Sequence, residues 1–177
     1  MMEKYEKYEK KILESGAETA KIIDPKIVVT ANWVRMKCQF GCGGFNDRLT
    51  CPPFSPTPEY TAKMLSEYKA ALIFTYSSEN EESERKKRRS VRKILVEVER
   101  EMFLDGFYKA FGLSAGPCNY CTHCDVAKPC KYPEEARPSM EASGIDVYKT
   151  ARNAGIKIEV VRTLKDICTF VSLILVE

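Results

Sequence analysis

The chain predicts an α/β or α+β fold, a central sheet of about four to five strands with helices packed on it and two cysteine-rich metal loops. Three observations lead there. Segments of helical period and short β-branched segments alternate along most of the 177 residues, the pattern expected of a sheet covered by helices. A hydrophobic content of 44% suffices for one sizeable core, so residues 1–177 are expected to form a single metal-binding domain. Finally, Gly and Pro gather around two groups of cysteines, and four of the nine prolines lie between Pro52 and Pro58 and four more between Pro117 and Pro138.

From Glu3 to about Gly16, Tyr5, Tyr8, Ile12 and Leu13 fall at helical spacing among Glu and Lys, an amphipathic surface helix. Ile27 to Val34 is short, apolar and β-branched after Asp24-Pro25, which predicts a strand delivering the first cysteine group. Thr57-Pro58 has the chemistry of an N-cap followed by proline in the first turn, and Glu59 to Tyr68 continues as a helix. Ala70 to Tyr76 reads as a buried strand. Val91, Ile94, Leu95, Val98 and Met102 keep helical spacing to about Phe103, giving one long amphipathic helix. Its basic run Arg85 to Arg89 follows the acidic stretch Glu79 to Glu84, and pairing at i,i+3 and i,i+4 makes it a solvated face and no nucleic-acid site. Phe111 to Ala115 predicts a strand, Arg137 to Gly144 a short helical turn, and Val147 to Ala154 a helix capped by Asp146 and closed by Gly155. Ile156 to Val160 alternates as a half-buried strand does, and Thr169 to Val176 is a final strand.

The chemistry concentrates in the cysteines. Cys118-x2-Cys121-x2-Cys124-x5-Cys130 places four thiols in thirteen positions. Three thiols at strict three-residue intervals follow the run with which ferredoxin loops hold a [4Fe-4S] cluster, and Cys130 closes the same cluster or serves a second site. Zinc is the competitor, because four-thiolate zinc sites also start from Cys-x2-Cys, although they usually separate two pairs by a long stretch. Cys38-x3-Cys42-x8-Cys51, followed by Pro52-Pro53 and holding Gly41, Gly43 and Gly44, forms a second group. Three protein ligands would leave one metal position open to a small molecule. The cofactor expected is thus one [4Fe-4S] cluster, with two possible and Zn as the alternative; whether the groups form one site or two stays open. The concentration of stiff chain around both groups predicts that they lie close together. Cys168, alone at the head of an apolar strand, reads as a small buried hydrophobe. His123 reads as exposed or supporting a ligand. Arg137 is expected either to hold an anion in bidentate fashion or to make a structural ion pair.

Together, Cys-x3-Cys-x8-Cys-Pro-Pro, Gly-Pro-Cys-x2-Cys-x2-Cys-x5-Cys and Arg-Pro-Ser-Met-Glu-Ala-x-Gly-Ile-Asp-Val resemble an uncharacterised prokaryotic family described as predicted metal-binding proteins. The resemblance covers most of the chain and implies metal binding through those cysteines; it implies no reaction or substrate.

The partners expected are a redox protein or a small-molecule substrate, with no nucleic acid and no membrane. A net charge of +3 calls for no polyanion. No apolar run nears the roughly 20 residues of a span, and the first residues lack a signal-like apolar stretch. Eight cysteines fit metal ligation in a reducing cytoplasm better than a disulfide framework. The function expected is electron transfer or redox chemistry by an iron-sulfur protein. Its alternatives are a cluster enzyme acting on a small molecule, for instance in sulfur transfer, and a zinc-stabilised interaction module.

Overall fold

A computed structural model describes residues 3–78, 81–163 and 165–177. The elements in order are helix α1 (Glu3–Glu14), strand β1 (Thr19–Ile23), α2 (Asn32–Gly41), α3 (Pro58–Leu65), β2 (Ala71–Ser78), α4 (Glu81–Leu104), β3 (Phe111–Leu113), α5 (Val147–Asn153) and β4 (Cys168–Leu175). The strands form one antiparallel sheet of order β1-β2-β4-β3. The fold is therefore α+β, with the four strands at the lower end of the expected number.

Both faces of this sheet are covered. Leu72, Phe74 and Tyr76 of β2 join Phe170 and Ile174 of β4 under Tyr8 and Ile12 of α1 and Val91, Leu95, Val98 and Met102 of α4. The alternate residues Ala71, Ile73, Val171, Leu173 and Leu175 face Leu65 of α3, Ala151 of α5, and Met140 and Ile145 of the segment between β3 and α5. Because successive side chains point to opposite faces, a strand covered on both sides reads as continuously apolar. β2 and β4 show that pattern, and sequence alone finds them easily.

Two expected strands are corrected. Ile27 to Val34 is not a strand. Asp24 caps a 3-10 turn at Pro25–Ile27, and the β-branched residues that follow are extended without joining the sheet. Their backbone bonds go elsewhere: Val29 N donates to Thr150 Oγ1 (3.0 Å), Asp146 N to Val29 O (2.7 Å) and Ala31 N to Gly144 O (2.8 Å). Helix α2 then begins at Asn32, so Cys38 sits on a helix. Ile156 to Val160 likewise belongs to no strand and has no ladder partner among the described residues. It buries Ile156 and Ile158 and exposes Val160, so alternation tracks burial without pairing. The helix expected over Glu59 to Tyr68 ends earlier, at Leu65, and Thr57 Oγ1 accepts Tyr60 N at 3.2 Å as its N-cap. Of the stretch Arg137 to Gly144, Ser139 bridges Ser114 and only Met140 to Gly144 turns, closing on Gly144 at φ +76.

The basic run of α4 is not uniformly solvated. Lys86 and Arg89 are exposed, Lys87 lies 5.5 Å from the centre of the Tyr76 ring, and Arg88 turns toward the backbone of Gly116. The pairing expected of Glu79 to Glu84 lies outside the residues whose side chains are described. No helix among the described residues is long and apolar enough to cross a membrane.

Candidate metal centre

The first cysteine group is shaped by α2 and the loop after it. Cys38 lies in the later part of α2, Cys42 follows its last residue, and Cys51 precedes the cis Pro52-Pro53 peptide. Arg35, also on α2, donates from Nη1 to Ser55 Oγ (3.2 Å) and Ala142 O (3.3 Å), and from Nη2 to Ser55 O (3.2 Å) and Pro56 O (2.9 Å). One guanidinium thus joins α2, the loop after Cys51 and the turns before α5. A Cβ on Gly44 would lie 3.3 Å from Cys51 Sγ and 3.6 Å from Cys42 Sγ. Both sulfurs flank the same Cα, and the absent side chain leaves them facing each other.

Cys38, Cys42 and Cys51 share one cavity of about 940 Å³ with Glu141, Gly116 and Pro117. Burial pushes the Cys51 thiol up to about 11, reinforced by Cys42, with Thr50 and Arg48 opposing. Burial also raises Cys38, as do Cys42 and Glu141. These thiols keep their protons at neutral pH in the metal-free chain, and metal binding would release them. Glu141 Oε2 is buried and accepts no hydrogen bond. Burial raises that carboxyl, against hydrogen bonding from its own backbone, Ser139 and Gly116 and the charge of Arg88.

The second group is presented from the end of β3. Ser114 N donates to Pro138 O (2.8 Å) and Met140 N to Ser114 O (2.9 Å), fixing the chain just before Gly116-Pro117. Cys118, Cys121, Cys124 and Cys130 line one small separate pocket with Arg48, Thr50 and Tyr132. Around it, the Tyr120 and Tyr132 rings stack with centroids 5.6 Å apart. Asp125 Oδ1 accepts Ala127 N at 3.2 Å, and Asp125 pairs with Lys128 at 2.9 Å. Among the described residues, no three His, Cys, Asp or Glu side chains stand close enough together to enclose a single ion as they lie.

The two groups abut, as the proline distribution predicts. Arg48, from the loop between Cys42 and Cys51, donates from Nη1 to Cys118 O at 2.8 Å. Gly44 faces Pro117. They remain two pockets: Cys38, Cys42 and Cys51 line one, whose wall also includes Cys168, and Cys118, Cys121, Cys124 and Cys130 line the other.

Behind the later pocket lies Arg92 of α4, a fully buried cation. It donates to Asn119 Oδ1 (2.6 Å), Ser114 Oγ (3.2 Å) and the carbonyls of Ala115 (3.4 Å), Gly116 (3.3 Å) and Pro117 (3.1 Å). Every one of these acceptors is neutral. Burial lowers its pKa, while the nearby Cys118, Tyr120 and Cys51 act in the opposite sense. Neither Arg92 nor Arg48 is singled out by sequence patterning. The available signal is that Arg88, Arg92 and Glu99 occupy one side of α4 beside its apolar stripe, at i, i+4 and i+11.

Arg137 makes the structural ion pair. Its Nε donates to Glu99 Oε2 (2.8 Å) and its Nη2 to Oε1 (2.6 Å), with both side chains largely buried, and Glu99 Oε2 also accepts Gly112 N (2.7 Å). Glu99→Ala is expected to cost about 3–5 kcal/mol by leaving this cation buried without its partner. Urea unfolding of the two proteins checks this, and a loss below 1 kcal/mol, on the order of an exposed pair, would contradict it. Ser139 Oγ accepts Ala142 N at 3.0 Å. His123 is exposed. Cys168 is half-buried at the head of β4, packed on the core beneath α1 and α4.

An α+β sheet protein in which helix α2 and two loops bring seven cysteines to two adjoining pockets is the class so defined. The chain belongs to the family described as predicted metal-binding protein (DUF2284), which matches residues 21–176. Comparison with curated proteins and with solved structures found no match.

Proposed function

We propose that the protein is an iron-sulfur redox protein with two clusters. In this reading Cys118, Cys121, Cys124 and Cys130 hold a [4Fe-4S] cluster, and Cys38, Cys42 and Cys51 hold a second with one coordination position left to an exogenous ligand. The observation that carries it is the division of the thiols: Cys118, Cys121, Cys124 and Cys130 line a small pocket of their own, whereas Cys38, Cys42 and Cys51 line a cavity that continues well beyond them, as far as Cys168 on β4. Such clusters supply one-electron transfer at potentials set by charge, hydrogen bonding and exposure. The four-thiol pocket suits exchange with a redox partner protein. The adjoining three-thiol pocket suits delivery to a small molecule, and the 940 Å³ cavity favours, as a second reading, an enzyme that acts on that molecule at the open position.

Protein prepared without oxygen is expected to be brown, with iron and acid-labile sulfide in near-equal amounts. Cyanide should perturb one paramagnetic signal and leave the other unchanged. Stoichiometric zinc without sulfide would sink the cluster assignment and leave a zinc-supported module. If Cys38→Ser keeps both the iron content and the cyanide response, the earlier group is structural and the electron-carrier reading stands alone.

A further inference from the structure

The cavity beside Cys38, Cys42 and Cys51 is built with two unlike ends. At the thiol end, Glu141 Oε2 is buried without a hydrogen-bond partner, and leaving a buried acceptor unsatisfied costs about 1–3 kcal/mol. A ligand that brings a donor to this oxygen recovers that cost. Beyond it the wall is apolar, with Val34, Val147, Ile158 and Phe170 among the lining residues. The solvent side carries Lys149 and Arg152, both exposed on α5 and both lining the cavity. Among the described residues neither is paired with a carboxylate. Asp146, the acidic neighbour on that side, is already engaged in capping α5 through Lys149 N at 2.9 Å. The volume falls in the range of small-molecule sites, whose walls are mostly apolar with a few placed polar groups.

We propose that this cavity binds an apolar acid: a molecule with a hydrocarbon or aromatic body, an anionic group held at the mouth by Lys149 and Arg152, and a hydrogen-bond donor presented to Glu141 at the thiol end. That the molecule is a substrate rests on the metal-centre reading of Cys38, Cys42 and Cys51; that it binds does not. Because Glu141 and the three thiols line the same cavity, the part of the molecule to be transformed on that reading would be its polar head, and the anion at the other end would serve as a handle. A cation in the same place would meet Lys149 and Arg152 as like charges, which gives the site its selectivity.

Titration calorimetry on the metal-loaded protein prepared without oxygen tests this with octanoate, octylamine, and the ω-hydroxy acids of eight, ten and twelve carbons beside their parent acids. Octanoate is expected to bind at least tenfold tighter than octylamine. The double variant Lys149→Glu/Arg152→Glu, at exposed positions that leave the core intact, should lose at least tenfold for octanoate. At one chain length the hydroxy acid should bind at least fivefold tighter than its parent, and Glu141→Leu should erase that gain while retaining affinity for the parent acid. Equal binding of acid and amine, an unchanged octanoate affinity in the double variant, or no hydroxy acid exceeding its parent would each overturn the proposal. Iron and sulfide measured on the same preparation separate the two ideas. Zinc with the binding pattern intact removes the cluster and keeps the cavity assignment. Full iron and sulfide with no discrimination among ligands does the reverse.

Discussion

Cys121→Ser is expected to abolish the proposed cluster of the four-thiol pocket and to lower stability by about 3 kcal/mol or more, because in a metal-stapled loop ligand binding is folding free energy. Residues 114–132 carry no helix or strand after β3. Their order comes from the backbone bonds of Ser114, from Arg48 and Arg92, and from the stacked tyrosines. Removing one thiolate from such a segment removes much of what sets its conformation. Cys168→Ser is the internal control: that thiol lies on β4, packs against the core and lines the larger cavity but not the four-thiol pocket, so its loss should leave metal content unchanged. Iron, sulfide and thermal unfolding measured on both variants decide the matter. A Cys168→Ser protein that loses as much iron as Cys121→Ser would make Cys168 a ligand and refute this assignment.

Arg92→Gln is expected to produce the second large effect, on stability and on redox behaviour together. The guanidinium is fully buried and is the donor to five oxygens of residues 114–119. Stranding several of them costs on the order of 3 kcal/mol. Four thiolates around a cluster form an anion, and a buried cation beside it favours the more negative, reduced state. Without that charge, reduction should become at least tenfold less favourable, a fall of roughly 59 mV for one electron. Arg92→Lys separates charge from hydrogen bonding: it should lose stability as Gln does but keep most of the potential. A redox titration followed by paramagnetic resonance reads the difference. If Lys and Gln shift the potential equally, Arg92 acts only as a brace for the loop.

Elements with a strong period were legible before any coordinates. Tyr5, Tyr8 and Ile12 mark α1, and Val91, Leu95, Val98 and Met102 mark α4, because their spacing is the helix's own repeat and their burial is nearly complete. Thr57-Pro58 and Asp146 mark the starts of α3 and α5 through side-chain chemistry that acts locally. β1 was missed because an edge strand has one ladder partner, and Thr19–Ile23 shows little burial to pattern. Ile27 to Val34 misled because β-branched residues favour extended backbone wherever it runs, and here its hydrogen bonds go to residues 144–150. In the candidate site, spacing sorted the cysteines of the two groups as the two pockets do, but gave no sign that Cys168 reaches the wall of the larger one. The arginines were not legible: what Arg35, Arg48 and Arg92 hold is mostly backbone carbonyls of distant segments, and a carbonyl carries no signature in a sequence.

The bond from Arg48 to Cys118 O ties a loop of one pocket to the first thiol residue of the other. Assembly and damage therefore spread across that link. On the proposed reading, a chain that has gathered its first three thiols already has a hand on the next four, so filling one pocket would prepare its neighbour. Conversely, oxidation that frees the loop around Arg48 slackens the grip on Cys118. On the two-cluster reading, preparations are expected to be fully loaded or fully stripped more often than half loaded.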